Sequence, residues 1–369
     1  MKVVFRADAS LQMGSGHVMR CLTLAEALRD EGAECYFICR EHSGNLLDFI
    51  RDKNFQAFGL APITDESYIH SPVSRGDGLR HSNWLGTTQL QDAEECENLL
   101  KVLRPHWLVV DHYALDIQWE KTLQGNFKEL LVIDDLADRK HICSLLLDQN
   151  LGRTEQDYRG LVPHNCRILV GPKFALLRPE FSRLRSKSLV RRGSSTLQHL
   201  LITMGGMDQT NATCTVLQAL KTCSLPDNCH ISVVMGLKAP YLTLVKDIAA
   251  TMPWPTSVLV NVVDMAERMA SADLIIGAAG GTSWERSCLG VPTILLILAA
   301  NQEPGAKALL HSGSVILIEN VFDITIRLPP TIEALTHGGA LMELSNKARH
   351  VCDGLGVERV LKNMSYNNG

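Results

Sequence analysis

Residues 2–40 read KVVFRADASLQMGSGHVMRCLTLAEALRDEGAECYFICR, and this stretch decides the fold class. The apolar run Val3–Ala7 predicts a strand, and a loop containing Gly14 and Gly16 follows it. Apolar residues then recur at helical spacing, and a second apolar run at Cys35–Cys39 predicts the next strand. Strands that are apolar on both faces and separated by a helix pair in parallel through βαβ crossovers. The stretch therefore predicts an α/β domain with a parallel sheet.

The same alternation of short apolar runs and helical patterns continues along the chain. In the first half, further strands are predicted at Trp107–Asp111, Leu130–Asp134, Leu145–Asp148 and Ile168–Val170. In the second half, they are predicted at Leu200–Thr203, Ile231–Met235, Val258–Val262, Leu274–Gly277, Thr293–Leu298 and Val315–Ile318. A last helix is predicted from about Gly339 to Lys362. The length of 369 residues suits two domains at roughly 150 residues each.

A polar stretch, residues 179–198, separates the two halves. Its five basic residues are Arg183, Arg185, Lys187, Arg191 and Arg192. A phosphate or nucleic-acid patch and a solvated linker both fit such a run, and the net charge of −4 favours the linker. The predicted domains are then 1–178 and 199–369, and the last helix could pack back on the first domain. Two Rossmann-type doubly wound domains facing a cleft form the GT-B architecture, in which ligands bind beyond the carboxyl ends of the strands.

The composition excludes several functional classes. With 46% hydrophobic and 21% charged residues and a slight acidic balance, the chain is globular and has no electrostatic footprint for nucleic acid. No apolar run is long enough to span a bilayer, and the first residues resemble a strand more than a signal peptide. Eleven scattered cysteines without a CxxC pair fit reduced thiols. We therefore expect a cytoplasmic protein with no nucleic-acid or membrane partner, monomeric or at most weakly dimeric.

The loop after the first strand, RADASLQMGSGHVMR (residues 6–20), could bind an anion. Gly14 and Gly16 permit close approach to the backbone, and the helix that follows offers unpaired N–H groups. The loop fails the dinucleotide fingerprint GxGxxG because Met19 occupies the third glycine position, and Cys39-Arg40 ends the second strand without an acidic residue. A nicotinamide cofactor is thus disfavoured, and we predict no cofactor.

Two side chains of this loop are candidates for chemistry. His17 lies at the start of the helix, whose positive end favours a neutral imidazole that can accept a proton as a general base. A histidine that only caps or packs the helix fits this position equally well. Asp8 could bind the ligand or hold a turn.

The loop after the strand at Trp107–Asp111 places three polar side chains together. Asp111, His112 and Tyr113 supply both donors and acceptors, which suits the hydroxyl and amide groups of a sugar. A metal site is weakly supported because the adjacent Asp and His lack a helical HxxxH partner. We therefore predict a sugar site without a metal.

The second half carries two glycine-rich loops after strands. TMGGMDQTN (residues 203–211) places Gly205-Gly206 before a helix predicted from about Asn211, a cradle for phosphate. GAAGGTSWERSCLGVP (residues 277–292) adds more glycines and two hydroxyl side chains at the start of another helix. These two loops predict a pyrophosphate site.

Residues beyond these loops could bind the ribose. Glu285 could accept hydrogen bonds from a pair of ribose hydroxyls, or it could simply complement the helix dipole. Asn301-Gln302 supplies further neutral donors after the strand at Thr293–Leu298. The second half is thus predicted to bind a pyrophosphate that is linked to a ribose.

Five segments carry a resemblance to a known family. They are MGSGHVMRCLTLAEAL (13–28), NWLGTTQLQDAEE (83–95), LVVDHYALDIQWE (108–120), ITMGGMDQTN (202–211) and GGTSWERSCLGVPTILLILAANQ (280–302). In this order they resemble the UDP-sugar hydrolases of pseudaminic acid biosynthesis, which are related to MurG-type glycosyltransferases. The resemblance runs from Arg6 to about Gln302.

The resemblance implies a reaction and a set of site residues. The reaction is inverting, metal-independent hydrolysis of a UDP-linked 2,4-diacetamido-2,4,6-trideoxy sugar, with water attacking the anomeric carbon. It implies that His17 is the catalytic base and that Glu285 and Asn301 bind UDP. Together with the loop analysis, the predicted substrate-binding residues are Asp8, Gly14, Ser15, Gly16, Arg20, His112, Tyr113, Gly205, Gly206, Gly280, Gly281, Thr282, Ser283, Glu285, Asn301 and Gln302. In the family an acidic residue often precedes the Asn-Gln pair, whereas this chain has Ala300, which leaves the stereochemistry of the sugar open.

Two other functions compete with the hydrolase. A MurG-like transferase would move the sugar to another acceptor, but the first half lacks the apolar and basic block that a lipid acceptor requires. A non-catalytic nucleotide-sugar-binding module would not need His17.

Overall fold

A computed structural model of the chain describes residues 1–62, 78–194, 196–337 and 339–365. The chain divides into two compact units. Unit 1 comprises Met1–Leu176 together with the segment that begins at Gly356, and unit 2 comprises Leu177–Leu355.

Unit 1 is built on a parallel sheet with the strand order β3-β2-β1-β4-β5-β6-β7. Its strands are β1 (Lys2–Ala7), β2 (Glu34–Arg40), β3 (Gln56–Leu60), β4 (Trp107–Asp111), β5 (Glu129–Ile133), β6 (Leu145–Asp148) and β7 (Arg167–Val170). The helices between them are α1 (Gly16–Asp30), α2 (Leu47–Asp52), α3 (Gln89–Leu103) and α4 (Ile117–Thr122). Apolar side chains fill both faces of the sheet, and Phe5 stacks on Phe37 across β1 and β2 with ring centres 4.9 Å apart. The predicted α/β class is confirmed here, whereas β3, a partly exposed edge strand, was missed.

Unit 2 has a parallel sheet with the order β10-β9-β8-β11-β12-β13. Its strands are β8 (His199–Thr203), β9 (His230–Met235), β10 (Thr256–Val260), β11 (Leu274–Ala278), β12 (Thr293–Leu296) and β13 (Ile316–Ile318). Its helices are α5 (Pro179–Arg191), α6 (Ala212–Leu220), α7 (Leu242–Ala249), α8 (Met265–Ser271), α9 (Thr282–Cys288), α10 (Glu303–His311), α11 (Ile324–Leu335) and α12 (Ala340–Ala348). In both units the first strand lies inside the sheet, and the strand order runs in opposite directions on its two sides. The reversal lies between β1 and β4 in unit 1 and between β8 and β11 in unit 2. This is the Rossmann order, whose ligands bind at the reversal point.

The predicted helix from Gly339 to Lys362 is wrong, because two helices in different units occupy that stretch. The first is α12, and the second is α13 (Gly356–Ser365), which belongs to unit 1. Val360 and Met364 of α13 are buried in the same apolar cluster as Val18 of α1. A side chain at position 356 would collide with the Ala175 carbonyl, so only glycine fits there. The C-terminal segment therefore packs back on the first domain, as one option in the sequence had suggested.

The prediction of a solvated linker over residues 179–198 is also wrong. Residues 179–191 form α5, which starts with Pro179 at the first turn and buries Phe181 completely. Arg185 donates to the carbonyls of Cys288, Cys352 and Arg349, the last at 2.7 Å. Arg192 is 2% exposed and donates to carbonyls at the end of α8. Two of the five basic residues that suggested a linker thus bind carbonyls of neighbouring elements, Arg191 pairs with Asp273, and the helix belongs to unit 2.

No helix in the described part of the chain is both long and apolar enough to cross a membrane.

Candidate active site

Two loops leave the reversal point of unit 1 in opposite directions. Ala7 at the end of β1 lies beside Asp111 at the end of β4, and the two strands are neighbours in the sheet. The loop after β1 leads to His17 at the start of α1, and the loop after β4 begins with His112. This position is where open parallel sheets bind ligands.

His17 and Asp111 form a close pair at this point. The His17 Nδ1 atom lies 2.6 Å from Asp111 Oδ1, although the two residues are 94 positions apart in the chain. A carboxylate can only accept, so Nδ1 carries a proton and donates it, and Nε2 is the nitrogen that can accept a proton from another group. His17 is 8% exposed and Asp111 is fully buried. The pair therefore has the geometry of an oriented general base.

Arg20 fixes the carboxylate of this pair. It donates to both oxygens of Asp111, through Nε at 2.6 Å and Nη2 at 2.7 Å. Burial alone would raise the pKa of Asp111, but the charge of Arg20 and the hydrogen bonds from Arg20 and His17 outweigh it and lower the pKa below its usual range. Arg20 also pairs with Asp135, whose Oδ2 lies 2.8 Å from Nη1. The guanidinium predicted to bind substrate is thus bonded to two protein carboxylates.

Two aromatic rings, those of Tyr113 and Trp84, lie beside His17. The Tyr113 ring meets the His17 ring edge-on at 4.6 Å, and Trp84 stacks on Tyr113 at 5.6 Å with an interplanar angle of 23°. Burial and the neighbouring Asp135 raise the pKa of Tyr113, so its hydroxyl keeps its proton and donates to Asp135 at 2.7 Å. Tyr113 was predicted from the sequence. Trp84 was not, although it lies in segment 83–95, one of the five segments that resemble the UDP-sugar hydrolases.

Asp8 and His112 lie in a separate buried network. Asp8 Oδ1 accepts from Arg6 and from the backbone N–H of Arg40, and His112 Nε2 lies 3.2 Å from Asp8 Oδ2. Asp8 is fully buried and His112 is 2% exposed. Asp92 binds the same Arg6 with both oxygens. The structure therefore does not support direct substrate contact by His112, and for Asp8 it favours the structural alternative.

The glycine loop of unit 1 leaves open space at its surface. Gly14 has a left-handed φ of 77° and closes a turn by donating to the Ser10 carbonyl at 2.8 Å. Ser15 and Gly16 are exposed, and the start of α1 has no side-chain cap. The amides of this first turn thus stay available, as the anion prediction requires.

In unit 2, the loop after β8 keeps its glycines exposed but not its helix start. Gly205, with φ 84°, and Gly206 both face solvent. Asp208 is buried and accepts from the backbone N–H groups of Ala212 and Thr213, at 3.0 and 2.9 Å. Two amides of α6 are therefore bound by a protein carboxylate, and any anion site here relies on Gly205 and Gly206 themselves.

The loop after β11 divides into an exposed and a buried part. Gly280, Gly281 and Thr282 are exposed, whereas Ser283 is 4% exposed and its Oγ accepts from Arg286 at 3.0 Å. Gly280 has a φ of 139°, which an L side chain rarely adopts. Gly280, Gly281 and Thr282 are thus accessible at the surface, whereas Ser283 lies below it, and their contact with a ligand stays a prediction.

Glu285 lies one turn into α9. Burial raises its pKa to about 7, although Arg178 and Arg286 oppose this rise. Arg178 Nη2 is 3.8 Å from the carboxylate, too far for a hydrogen bond. The start of α9 has no side-chain cap, so Glu285 does not cap the helix through a hydrogen bond. A half-buried carboxylate that accepts no hydrogen bond from a neighbouring cation can accept from a ribose diol.

Asn301 and Gln302 follow β12 in a short 3₁₀ turn, Ala300–Gln302. Asn301 is exposed, so its amide can reach a ligand. Gln302 instead uses its Oε1 to accept from the backbone N–H of Leu298 at 2.9 Å, which holds the turn in place.

Within the described residues, no group of three or more His, Cys, Asp or Glu side chains is arranged to hold a metal ion. The eleven cysteines are free thiols, and all but Cys166 are buried. Cys21 lies 3.7 Å from Asp111, and burial together with Asp111 raises its pKa, which keeps the thiol protonated.

Comparison with known sequences shows distant relatives over most of the chain. No family model matches. The chain is 26% identical over 313 residues to the UDP-2,4-diacetamido-2,4,6-trideoxy-beta-L-altropyranose hydrolase of Campylobacter jejuni, covering 85% of this chain and 97% of that protein. It is 24% identical to the spore coat polysaccharide biosynthesis protein SpsG of Bacillus subtilis, covering 98% and 96%. An uncharacterized protein of Methanocaldococcus jannaschii is 24% identical over 80% of this chain, which spans 55% of that protein.

Comparison with solved structures decides the fold. MurG of Acinetobacter baumannii superposes with a TM-score of 0.69 at 16% identity, covering 99% of both chains. A UDP-GlcNAc 2-epimerase of Neisseria meningitidis superposes with a TM-score of 0.59 at 13% identity, covering 99% of this chain and 100% of that one. The chain has the GT-B fold. As this fold requires, two Rossmann-like units are present, with parallel sheets of seven and six strands in the described residues.

Sequence reasoning within this GT-B chain missed the charged partners of the site. Asp111 was predicted beside the loop after β4 and is the last residue of that strand, but its pairing with His17 depends on the adjacency of β1 and β4 and leaves no local signal. Asp135 and Arg286 gave no signal of their own, since one follows an ordinary strand and the other lies inside a helix.

Proposed function

We propose that this chain is an inverting UDP-sugar hydrolase that acts without a metal ion. Its substrate is a UDP-linked 2,4-diacetamido-2,4,6-trideoxy sugar of pseudaminic acid biosynthesis, the kind of substrate named for the Campylobacter jejuni relative. The observation that carries this proposal is the His17–Asp111 pair, because a buried carboxylate 2.6 Å from Nδ1 leaves Nε2 to serve as a base.

Water is the nucleophile in the proposed reaction. His17 Nε2 removes a proton from the water as its oxygen bonds to the anomeric carbon. The bond between that carbon and the diphosphate oxygen breaks, and its electron pair leaves with UDP. Attack from the face opposite to UDP inverts the anomeric centre. Asp111 stabilises the imidazolium that forms, as the carboxylate does in other His-Asp pairs.

Unit 2 is proposed to bind the UDP part of the substrate. Exposed Gly280, Gly281 and Thr282 offer backbone N–H groups and a hydroxyl to the diphosphate, which gains negative charge as it leaves. Glu285 accepts from the ribose hydroxyls, and the exposed amide of Asn301 adds a neutral donor. Gly205 and Gly206 allow the backbone to approach the phosphates closely.

Unit 1 is proposed to bind the sugar. Tyr113 and Trp84 present an aromatic surface beside His17, which suits the apolar face and methyl groups of a deoxy sugar. Arg20 acts by holding Asp111, and the Asp8–His112 network supports the loops from below.

A MurG-like transferase is the second candidate, and two comparisons favour it. Besides the structural match, 129 residues are 30% identical to the undecaprenol N-acetylglucosamine transferase of Acetivibrio thermocellus, over 33% of this chain and 35% of that protein. A transferase would use the same base to activate a sugar hydroxyl instead of water.

An isotope experiment separates the two candidates. The protein is incubated with the UDP-sugar in ¹⁸O-enriched water, with a chelator present and no acceptor. The hydrolase predicts UDP release with ¹⁸O on C1 of the sugar and none on the phosphate. Label on the phosphate excludes attack at the anomeric carbon, turnover only after addition of an acceptor supports the transferase, and loss of turnover with chelator excludes the metal-free mechanism.

A further inference from the structure

Arg286 is a buried guanidinium in unit 2 that makes no hydrogen bond to a carboxylate of the described residues, although the charge of the adjacent Glu285 acts on it. The side chain is 1% exposed, and its Nε and Nη1 atoms have no hydrogen-bond partner among the described residues. The neighbouring Glu285 is oriented towards Arg178 instead, with 3.8 Å between the charged groups.

Three other buried arginines of this chain have carboxylate partners. Arg6 and Arg40 share the carboxylate of Asp92, and Arg139 pairs with Asp134 at 2.9 Å. A buried charge that is not bonded to a counter-charge is unfavourable, so the unbonded Nε and Nη1 atoms of Arg286 need a physical reason. Burial lowers the pKa of Arg286 to about 10, although the charge of Glu285 opposes this fall, and the guanidinium stays charged at neutral pH.

The guanidinium lies beneath the loop proposed to bind the diphosphate. Its Nη2 donates to the Ala278 carbonyl at 2.7 Å and to Ser283 Oγ at 3.0 Å, two groups on either side of Gly280 and Gly281. A side chain at Gly277 would collide with Nη1, so glycine makes room for the cation at the end of β11.

We propose that Arg286 is a positioning residue of the nucleotide site and that the diphosphate of the substrate supplies the counter-charge to which no carboxylate is bonded. This inference rests on the proposed binding of UDP. Because Ser283 Oγ accepts from Arg286, the hydroxyl proton of Ser283 points away from the cation and Arg286 fixes the orientation of the loop. The cation also attracts the diphosphate from below through a region of low dielectric, where charges interact more strongly than in water.

The proposal makes opposite predictions for the free and the liganded protein. In the free protein, Arg286→Met replaces an unbalanced charge by an apolar chain of similar length, so the melting temperature is expected to stay level or rise. In the liganded protein, the same change removes the counter-charge. Affinity for UDP is then expected to fall about tenfold or more, whereas affinity for uridine, which has no phosphate, changes less than about threefold.

The test measures UDP and uridine affinity by calorimetry, and melting temperature without ligand, for the full chain and its variants. Arg286→Lys keeps the charge and is expected to recover part of the selectivity for UDP over uridine. Arg192→Gln is the matched control, since Arg192 is a buried arginine of unit 2 bonded to carbonyls at the end of α8. It should lower stability without changing the UDP-to-uridine ratio.

Several outcomes would overturn the inference. An equal loss of UDP and uridine affinity in Arg286→Met, or a large drop in its ligand-free melting temperature, would make Arg286 a structural brace. An unchanged UDP affinity would remove it from the site. Failure of the wild-type chain to bind either ligand would instead contradict the proposed function, so the two failures are distinguishable.

Discussion

The reversal points of the two sheets use opposite chemistry on the same topology. In unit 1, polar and charged side chains meet near the ends of β1 and β4. His17 and Arg20 both bind Asp111, and Arg20 and Tyr113 both bind Asp135. In unit 2, the loops after β8 and β11 expose glycines and a hydroxyl, with one buried guanidinium beneath them.

The same strand order can therefore present either a histidine that charged partners hold in place or an accessible glycine backbone, and the residues of the loops decide which. We propose a base for the first arrangement and an anion site for the second. A proton acceptor must be held in one orientation, which requires partners of opposite charge around it. An anion is held by backbone N–H groups, which glycine leaves accessible. Variants that remove individual side chains from one region test whether catalysis depends on unit 1 and UDP binding on unit 2.

The largest effect is expected from His17→Ala. Loss of the general base should lower kcat by about 10²–10⁴-fold, because this is the usual contribution of a positioned base. UDP affinity should stay unchanged, since UDP is assigned to the other unit. The kcat is measured with saturating UDP-sugar and the UDP affinity by calorimetry.

His164→Ala, which changes an exposed histidine of unit 1, provides the control and should keep full activity. If His17→Ala turned over substrate at the wild-type rate, unit 1 would not supply the base and the contrast between the two regions would disappear.

Asp111→Asn is expected to lower kcat by about 10²-fold, because the amide no longer holds the ring in one tautomer and orientation. The change also leaves Arg20 with less counter-charge, so the melting temperature should fall. Asp92→Asn is the matched control: it removes a buried carboxylate that binds Arg6 and Arg40 without touching His17. It should lose stability and keep its kcat, and a parallel loss of kcat in both variants would show that stability alone explains the effect.

Glu285 is expected to make uridine binding pH-dependent. Its pKa of about 7 in the free protein lies above the usual value, so the carboxylate is half protonated near neutrality. Ribose hydroxyls donate to the ionised form, so binding should release a proton and affinity should rise between pH 6 and pH 8. Uridine is the probe because it has no phosphate that titrates in this range.

Glu285→Gln should bind uridine roughly tenfold more weakly at pH 8 and lose the pH dependence. Glu267→Gln, on an exposed glutamate of unit 2, should behave as the wild type does. A wild-type affinity that stayed flat across this pH range would favour the role of Glu285 in complementing the helix dipole.

The smallest effect is expected from Trp84→Ala. Loss of the ring that stacks on Tyr113 should raise KM for the UDP-sugar by about three- to tenfold, in keeping with the value of one aromatic contact. Affinity for UDP alone should not change, and Trp84→Phe should restore most of the loss. An equal loss of UDP affinity would place Trp84 outside the sugar site.

Much of this fold could be predicted from the sequence because the strands are apolar on both faces. The central strand β1 is buried along almost its whole length, and such runs are visible without any knowledge of their partners. The edge strand β3 was missed because its residues, QAFGL, are only partly buried. The helix α5 was taken for a linker because its basic residues have partners distant in sequence, such as the carbonyls of Arg349 and Cys352.

The candidate site was predictable only in part for the same reason. Glycine loops and His17 stand out locally, since their chemistry depends on their own conformation and on the next helix. The pairing of His17 with Asp111, the pairing of Arg20 with Asp135 and the absence of a hydrogen-bonded carboxylate at Arg286 within the described residues are long-range properties. They depend on strand order and burial, which single residue types do not encode.

The return of α13 to unit 1 has a consequence for the order in which the protein is made. Unit 2 is one continuous stretch of chain, so all its residues leave the ribosome before Gly356 does. Unit 1 is begun first, yet the apolar cluster around Val18 lacks Val360 and Met364 until residues 356–365 have been synthesised. During translation the apolar core of unit 1, which carries His17, is therefore completed only after unit 2, when α13 has been synthesised.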